Sequence, residues 1–259
     1  MTTLRLMTWN IKNGGGDRLP EIIQVIRGEQ PDVLCLQELQ HFQRYGRRRL
    51  RELSEATGMT AHLAPSALAQ PVAVLVRPPL RIVGRSSVSW RLHHAAAVVR
   101  VDTTAGQLTV VSAHLNPFSP YRRYREARWL AARYGSARRM VLIAGDMNGL
   151  APDGDHTRDL DAVHSLYRQR HLGPDGEPDT RAIAAFGQAG FTDLWRHLGE
   201  GDGRTVPTGF AGREFGTMRL DYLLASAPLA DRTKRAWVLR DETTEHASDH
   251  YPVRADVSL

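Results

Sequence analysis

Six short polar clusters stand along the chain, and several of them directly follow an apolar, strand-like run. They are TWN ending at Asn10, LQE ending at Glu38, SAHL around His114, GDMN from Gly145 to Asn148, RLDY around Asp221, and SDH ending at His250. Strands that end in this way within one sheet bring carboxylates, amides and imidazoles to a common edge. The pattern indicates a hydrolytic site in which a metal ion and protonatable side chains act together.

The cluster GDMN, which follows the apolar run MVLIA, is the sharpest of these local signals. If the strand continued through it, Asp146 and Asn148 would project from the same face. A carboxylate and a carboxamide placed in this way can orient a water molecule and hold the oxygen that it attacks. The alternative is an Asp-x-Asn turn that only caps the end of the strand.

The cluster SDH places an acid beside an imidazole, at Asp249 and His250. Adjacent residues in a strand point to opposite sides, so one of them can face a metal ion while the other faces a phosphate. A distant acid such as Asp221 would then orient the ring of His250. The alternative is a loop histidine or a helix cap with no chemical role.

Glu38 ends a predicted buried strand, where a carboxylate is costly unless it is paired or bound to a cation. The oxygen atoms of Glu38, Asn10 and Asp249 suit a hard divalent cation, and Mg²⁺ is the expected ion when the substrate carries phosphate, with Mn²⁺ as a substitute. A zinc site is less expected, because the adjacent His93 and His94 would diverge and the chain has one cysteine.

In this order, the clusters resemble the motifs of the endonuclease/exonuclease/phosphatase superfamily, which includes DNase I-like nucleases, sphingomyelinases and inositol-polyphosphate phosphatases. The resemblance extends over essentially the whole chain. It implies an α/β fold in which two packed mixed sheets are flanked by helices, a four-layer sandwich of the DNase I-like kind. It also implies hydrolysis of a phosphoester by in-line attack of water.

The resemblance further implies roles for the metal-binding and water-activating residues. Glu38 would be the main Mg²⁺ ligand, assisted by Asn10 and Asp249. Asp146 would orient or deprotonate the attacking water, and Asn148 would hold that water or a phosphate oxygen.

The same resemblance implies that His114 and His250 contact the scissile phosphate, and that Asp221 fixes the ring of His250. Two positions bear on the branch of the superfamily. Abasic-site endonucleases carry an acidic residue where this chain has Lys12, and they lack the pair seen here as His114-Leu115. The chain is therefore more similar to the DNase, sphingomyelinase and phosphatase branches.

The formal net charge of +6 and the sequence pI of about 9.9 suit an anionic partner. All but two of the 34 basic residues are arginine, however, a bias that is also typical of GC-rich genomes, so the charge alone does not establish such a partner. A nucleic-acid substrate is the first expectation. A small phosphorylated metabolite or a phospholipid head group is the alternative.

Three arginines are candidates for contacts with substrate phosphate. Arg122 and Arg123 stand among tyrosines near the start of a predicted helix, a combination that fits a nucleic-acid backbone with splayed bases. The helical spacing of Trp129, Leu130 and Arg133 predicts, as the alternative, a helix that packs on the core and has a solvated face. Arg213 lies in a glycine-rich stretch and could reach an anion.

Hydrophobic periodicity and turn residues predict the elements that must position these groups. Strands are predicted over residues 4–9, 33–37, 72–76, 80–88, 96–101, 108–114, 140–144, 220–225, 236–239 and 252–257. Helices are predicted over 19–28, 47–57, 120–134 and 180–189, with a further one near 158–170. The stretches between 72 and 114 are expected to be consecutive antiparallel strands, and the irregular stretches 149–180 and 199–216 are expected to form the rim of the site.

The site residues come from both ends of the chain, so a single domain over residues 1–259 is predicted. The one cysteine, Cys35, lies among apolar residues and is expected to be buried and inert. The sequence begins directly with a strand-like run and has no apolar run long enough to cross a bilayer. These features predict a cytoplasmic protein, and no protein partner is evident.

Overall fold

The structure is a computed structural model that describes residues 3–212 and 214–259. Thirteen strands are present in these residues: β1 (Thr3–Asn10), β2 (Val33–Gln37), β3 (Thr60–Ala64), β4 (Val72–Val76), β5 (Arg81–Val88), β6 (Ala95–Thr103), β7 (Gly106–His114), β8 (Met140–Asp146), β9 (Phe191–Asp193), β10 (Gly199–Glu200), β11 (Asp221–Ser226), β12 (Thr233–Val238) and β13 (Val253–Ser258). The same residues contain nine α-helices: α1 (Leu19–Glu29), α2 (Arg48–Thr57), α3 (Pro120–Tyr134), α4 (Thr157–Asp161), α5 (Ser165–Arg168), α6 (Arg181–Gln188), α7 (Leu194–Leu198), α8 (Ala227–Ala230) and α9 (Glu242–Ala247).

The strands form two sheets. The first has the order β10-β12-β13-β1-β2-β4-β3, and the second has the order β5-β6-β7-β8-β11-β9. In the first sheet β1 pairs antiparallel with β13 and parallel with β2, and in the second β7 pairs antiparallel with β6 and parallel with β8. Both sheets are therefore mixed, which confirms the prediction made from the sequence.

Alternation along the strands divides the apolar side chains between the two sides of each sheet. In β1, Leu4 and Leu6 enter the layer between the sheets, and that layer also contains Val110 of the second sheet. The intervening Met7 and Trp9 pack on the other side with residues of α1 and α2. Residues of α3 and α6 cover the outer side of the second sheet in the same way. The result is the predicted four-layer order of helices, sheet, sheet and helices.

Two predicted elements differ from the structure. β4 pairs with β2 and β3 in the first sheet, so only β5, β6 and β7 form the expected run of consecutive antiparallel strands. Pro78 and Pro79, which follow β4, have no N–H to continue a ladder, and the chain crosses to the other sheet there. The helix predicted near 158–170 is divided into α4, α5 and a short 3₁₀ turn, because His164 leaves helical geometry and its ring caps α5.

Buried polar side chains join the two sheets close to the edge where the polar clusters lie. Gln37, at the end of β2, donates from Nε2 to Thr8 Oγ1 at 3.2 Å and to Ser112 Oγ at 3.1 Å. Ser112 belongs to β7 of the second sheet, and all three residues are fully buried. These hydrogen bonds set the spacing of the sheets at this edge, because an unpaired buried amide would be costly.

Gly145 allows a close approach of two strands directly before Asp146. It has a φ of +144°, and a Cβ atom added there would lie 1.9 Å from the carbonyl oxygen of Ala113 in β7. No side chain can be accommodated without movement of the β7 or β8 backbone. Among residues 3–212 and 214–259, no helix is long and apolar enough to span a bilayer.

The replacement Gly145→Ala is expected to lower the free energy of unfolding by about 2 kcal/mol or more, through backbone strain and the clash with β7. Urea unfolding measures this change. Gly28→Ala in α1 is the matched control, because an added Cβ there meets nothing within 4 Å. The control should be neutral or more stable by about 0.4–1 kcal/mol, and equal effects of both replacements would contradict the assignment.

Candidate active site

The ends of neighbouring strands bring the predicted site residues together. In the second sheet His114 at the end of β7 lies opposite Asp146 at the end of β8, and Asp146 lies opposite Asp221 at the start of β11. In the first sheet Asn10 ends β1 beside the end of β2, which is followed by Glu38. The site is therefore built where the edges of both sheets meet.

Asn10 connects the two sheets within the site. Its Nδ2 donates to Glu38 Oε1 at 3.1 Å and to Asp146 Oδ2 at 3.0 Å. Its Oδ1 accepts from the backbone N–H of Lys12 at 3.0 Å, which fixes the orientation of the amide. The second oxygen of Glu38 accepts from the N–H of Asn13 at 3.0 Å. One carboxamide thus holds two carboxylates side by side.

His250 is held by a carboxylate on each side. Its Nδ1 lies 2.7 Å from Asp221 Oδ2, and its Nε2 lies 3.8 Å from Asp146 Oδ2. The indole of Trp9 donates to the carbonyl oxygen of His250 at 2.8 Å and fixes the backbone. Burial alone would lower the pKa of His250, but Asp221 and Asp146 outweigh it and raise this pKa well above its ordinary value.

Asp146 lies between two histidines of opposite character. Burial raises the pKa of Asp146, Asp221 adds to this effect, and His250 opposes it. His114 Nε2 lies 3.5 Å from Asp146 Oδ2, and the ring of His114 stacks on that of His94 at 4.3 Å. Burial, together with the nearby His94 and His250, lowers the pKa of His114 well below its ordinary value. His114 is therefore neutral, whereas His250 favours the protonated form.

Asn148 follows Asp146 in a tight turn and not in a continued strand. β8 ends at Asp146, and Asn148 has a φ of 48°. The N–H of Asn148 donates to Asp146 Oδ1 at 2.9 Å, while its Nδ2 donates to the carbonyl oxygen of Leu115 at 3.1 Å. The turn that was the alternative interpretation is present, and both side chains still line the same cleft.

Asp249 is already neutralised by a lysine. Its Oδ2 lies 2.7 Å from Lys12 Nζ, which also lies 3.3 Å from Glu214. Its other oxygen lies 3.4 Å from the hydroxyl of Ser248, which donates to the carbonyl oxygen of Asn10 at 2.7 Å. Asp249 therefore lines the site as one half of an ion pair.

The cleft above these residues has a volume of about 380 Å³. Both segments that were predicted to form its rim contribute to it: Tyr167, Arg170 and His171 come from 149–180, and Glu214 and Phe215 come from 199–216. The ring of Phe215 meets that of His250 edge-on at 5.3 Å.

The three arginines predicted to contact phosphate have different positions. Arg122 is exposed and lines a neighbouring cleft. Arg123 is only 1% exposed, and its guanidinium donates to the carbonyl oxygens of Asn116 at 3.0 Å and Arg170 at 2.6 Å. We therefore withdraw Arg123 as a phosphate contact, because its donors are already used to hold two loops together. Arg213 lies outside the described residues.

The motifs and this geometry agree with a comparison of the sequence with known families. The profile described as the Endonuclease/Exonuclease/phosphatase family matches residues 7–250. The chain belongs to the endonuclease/exonuclease/phosphatase family. Membership makes it a metal-dependent phosphoester hydrolase and confirms the family resemblance seen in the motifs. None of the curated proteins compared with the chain matches it.

Solved structures share the fold over almost the entire chain. An endonuclease/exonuclease/phosphatase from Beutenbergia cavernae is 23% identical with a TM-score of 0.71, and the match covers 100% of this chain and 72% of that one. Truncated TDP2 from Caenorhabditis elegans is 16% identical with a TM-score of 0.69, covering 99% and 98% of the two chains. A mannosyl-6-phosphatase from Bacteroides thetaiotaomicron is 16% identical with a TM-score of 0.71, covering 99% and 100%.

The donor set of the site fits a divalent cation of the kind this family uses. Burial and the neighbouring Asp249 raise the pKa of Glu38, so the charged carboxylate is destabilised unless a cation binds to it. In the part of the chain that the structure describes, no lysine or arginine lies within ion-pair distance of Glu38. A second group of donors, Asp146, Asp221 and His250, has one atom of each residue within 4.8 Å of the others. Both groups of donors could bind a cation. Buried carboxylates that lie this close together need either a bound cation or a proton to offset their charges.

Several residues of the site were not predicted from the sequence. His94 supports the ring of His114, His171 and Arg170 line the cleft, and Lys12 neutralises Asp249. The adjacent pair His93-His94 stands out in the sequence, but its spacing does not indicate that one ring stacks on His114. Arg219, two residues before Asp221, forms its ion pair with Asp193.

The replacement Asp221→Asn removes the charge that favours protonated His250 while keeping an acceptor for Nδ1. We expect the pKa of His250 to fall, because the attraction of the Asp221 charge is lost, and kcat to fall by about tenfold or more. Titration of the ring protons by NMR in metal-free protein measures the first effect. Asp102→Asn on the exposed edge of β6 is the control, and an unchanged His250 pKa in Asp221→Asn would contradict this assignment.

Proposed function

We propose that this family member is a Mg²⁺-dependent phosphodiester hydrolase that acts on nucleic acid through in-line attack of an activated water. The observation that carries the proposal is the environment of one atom, Asp146 Oδ2. It lies 3.0 Å from Asn10 Nδ2, 3.5 Å from His114 Nε2 and 3.8 Å from His250 Nε2. Asp146 is thus a base in contact with a neutral imidazole and a charged one, and Asn10 links it to Glu38, which has no lysine or arginine partner among the described residues. This arrangement is suited to activating a water molecule for attack on phosphorus.

Glu38 is the residue best placed to hold Mg²⁺, with Asn10 beside it. Asn10 would have to turn its oxygen away from the N–H of Lys12 in order to bind the ion. Asp249 is less suited than the sequence indicated, because Lys12 already neutralises it. When bound, Mg²⁺ supplies a positive charge that withdraws electrons from a phosphate oxygen.

The protein residues divide the proton transfers and the charge stabilisation between them. Asp146 orients the attacking water and accepts its proton, and the turn through Asn148 fixes this carboxylate by donating to Oδ1. Protonated His250, oriented by Asp221, stabilises the negative charge that grows on the phosphoryl oxygens. Neutral His114 provides a further N–H donor without adding another charge to the site.

Aromatic residues at the rim support nucleic acid as the substrate. Phe118, Tyr167 and Phe215 line the cleft, and the guanidinium of Arg170 lies 5.1 Å from the ring centroid of Phe118 and 4.5 Å from that of Tyr167. Aromatic rings with an arginine among them offer surfaces on which bases stack. The net charge of +6 acts in the same direction.

A small phosphoester is the second candidate, and the charges in the cleft favour it. Among the described residues, Lys12 and Arg170 are the lysine and the arginine that line the cleft, and Lys12 is paired with two acids. A volume of about 380 Å³ also matches a small ligand. One structure with this fold is named a mannosyl-6-phosphatase, so sugar phosphates belong among the substrates to be tested.

We also propose that residues 1–259 form the single domain that the sequence predicts. The layer between the sheets contains apolar residues from Leu4 to Val257, and the site uses residues from Asn10 to His250. Hydrolysis would thus depend on the integrity of the whole chain.

The test is a parallel assay of the purified protein with Mg²⁺ or Mn²⁺ on single- and double-stranded nucleic acids, sugar phosphates and phospholipids. On the best substrate, Asp146→Asn is expected to lower kcat by about 10²–10⁴-fold, because the general base is lost. Asp231→Asn, an exposed acid after α8, is the control. Full activity of Asp146→Asn would refute its role, and hydrolysis of sugar phosphates alone would refute the nucleic-acid substrate.

The replacement Glu38→Gln is expected to raise the Mg²⁺ concentration required for half-maximal activity by about tenfold or more, because a charged oxygen ligand is lost. Activity as a function of Mg²⁺ concentration measures this shift. Glu55→Gln on the exposed face of α2 is the matched control. Hydrolysis that persists in excess chelator would exclude a metal-dependent reaction.

A further inference from the structure

We propose that a second cleft beside the active site binds an unpaired base and an adjacent phosphate of the substrate, so that the substrate is single-stranded. This inference rests on the proposed action on nucleic acid and names its class. The Trp90 cleft, as we call it, has a volume of about 350 Å³. Its lining includes Trp90, Arg91, His93, Arg122, Arg125 and Trp129.

The Trp90 cleft combines an exposed aromatic ring with several guanidinium groups. Trp90 is 75% exposed, and the guanidinium of Arg91 lies 4.3 Å from its ring centroid. Arg122 and Arg125, three residues apart on α3, are both exposed. In the described part of the chain, no acidic group lies within ion-pair distance of these three arginines. An exposed indole for stacking and guanidinium groups without an acidic partner for phosphate are the two components of a site for single strands.

The position of the cleft places it next to the reacting centre. The ring of His114 stacks on His94 at 4.3 Å, and His94 meets His93 edge-on at 4.5 Å. His93 lines the Trp90 cleft, whereas His94 and His114 line the active site. Phe118 is 56% exposed at the border, with its ring 5.6 Å from that of His93. A strand that leaves the scissile phosphate in this direction passes Phe118 and reaches Trp90.

The walls of the Trp90 cleft are held to α3 by a buried acid. Glu126 accepts from the N–H of His93 at 2.6 Å through Oε1 and from the N–H of Asn116 at 2.8 Å through Oε2. Both carboxylate oxygens are therefore engaged with backbone amides, which leaves the charge of the neighbouring Arg122 available to a ligand. The cleft is organised before binding, which lowers the entropy cost of capturing a flexible strand.

The chemistry of stacking selects single strands. A base can lie on the indole of Trp90 only when it has left its own stack, and duplex bases face one another inside the helix. A duplex would present its backbone phosphates alone to Arg91, Arg122 and Arg125. We therefore expect single strands to bind more tightly than duplexes of the same sequence.

The experiment measures binding of a short fluorescein-labelled oligothymidylate by fluorescence anisotropy, with Mg²⁺ present and all variants made in an Asp146→Asn background that slows cleavage. Trp90→Ala is expected to weaken binding by about tenfold or more, and Trp90→Phe should restore most of it. Arg122→Ala should lower the slope of log K against log salt by about 0.7, the value for one phosphate contact of a single strand.

Two exposed positions serve as matched controls. Arg128→Ala removes a charge from α3 outside the Trp90 cleft, and Tyr45→Ala removes an aromatic ring that is 85% exposed elsewhere. Both should leave affinity within about twofold. Loss of affinity in these controls equal to that in Trp90→Ala would overturn the inference, since binding would then be spread over the surface.

The remaining outcomes separate this inference from the proposed function. If the parent protein binds and cleaves oligonucleotides but Trp90→Ala and Arg122→Ala bind as it does, the Trp90 cleft has no such role and the proposed function stands. Tighter binding of a duplex than of its single strand also overturns the inference alone. If no nucleic acid binds and only small phosphoesters are cleaved, the proposed function fails, and the inference fails with it.

Discussion

The site depends on one constraint, which is that several carboxylates must share a buried edge where two sheets meet. Glu38 comes from the first sheet and Asp146 from the second, and the amide of Asn10 donates to both. A single carboxamide can satisfy two acceptors, but it cannot neutralise their charges. Lys12 pairs with Asp249 and His250 pairs with Asp221, whereas among residues 3–212 and 214–259 no lysine or arginine forms an ion pair with Glu38. The metal-binding role proposed for Glu38 rests on this difference, because a carboxylate without a cationic side chain beside it is the one that a divalent cation would neutralise.

The packing of the sheets makes this arrangement precise enough to be useful. Gln37 joins Thr8 of the first sheet to Ser112 of the second directly beneath the site. Gly145 allows β8 to approach β7 so closely that no side chain would fit between them. These contacts lie one residue before Glu38 and Asp146, so small shifts in sheet packing would move both carboxylates. The geometry of the site therefore depends directly on how the two sheets pack.

The strands of the fold and the residues of the site could be predicted wherever a local sequence pattern marks the end of a strand. An apolar run that stops at a polar residue marks a strand end, and Asn10, Glu38, His114 and Asp146 all lie at or next to such ends. The contacts of a side chain and the strands that pair with a given strand could not be predicted, because they depend on elements distant in the sequence. The sequence of α3 shows two arginines side by side, yet only the packing of two loops makes Arg123 buried and leaves Arg122 exposed. In the same way, nothing local to β4 shows that its partners are β2 and β3 rather than β5.

The two histidines beside Asp146 differ in the direction of their pKa shifts because their neighbours differ. His250 contacts Asp221 directly, and the attraction of that carboxylate outweighs the cost of burying a charged ring. His114 stacks on another imidazole, His94, and has no second acid to compensate the same cost. In the proposed reaction, the cationic ring would stabilise the negative charge that accumulates on the phosphoryl oxygens, and the neutral ring would serve as a donor that adds no repulsion. Because His94 also contacts His93, which lines the Trp90 cleft, the stack of His114 on His94 connects the proposed reacting centre to the surface on which a strand would lie.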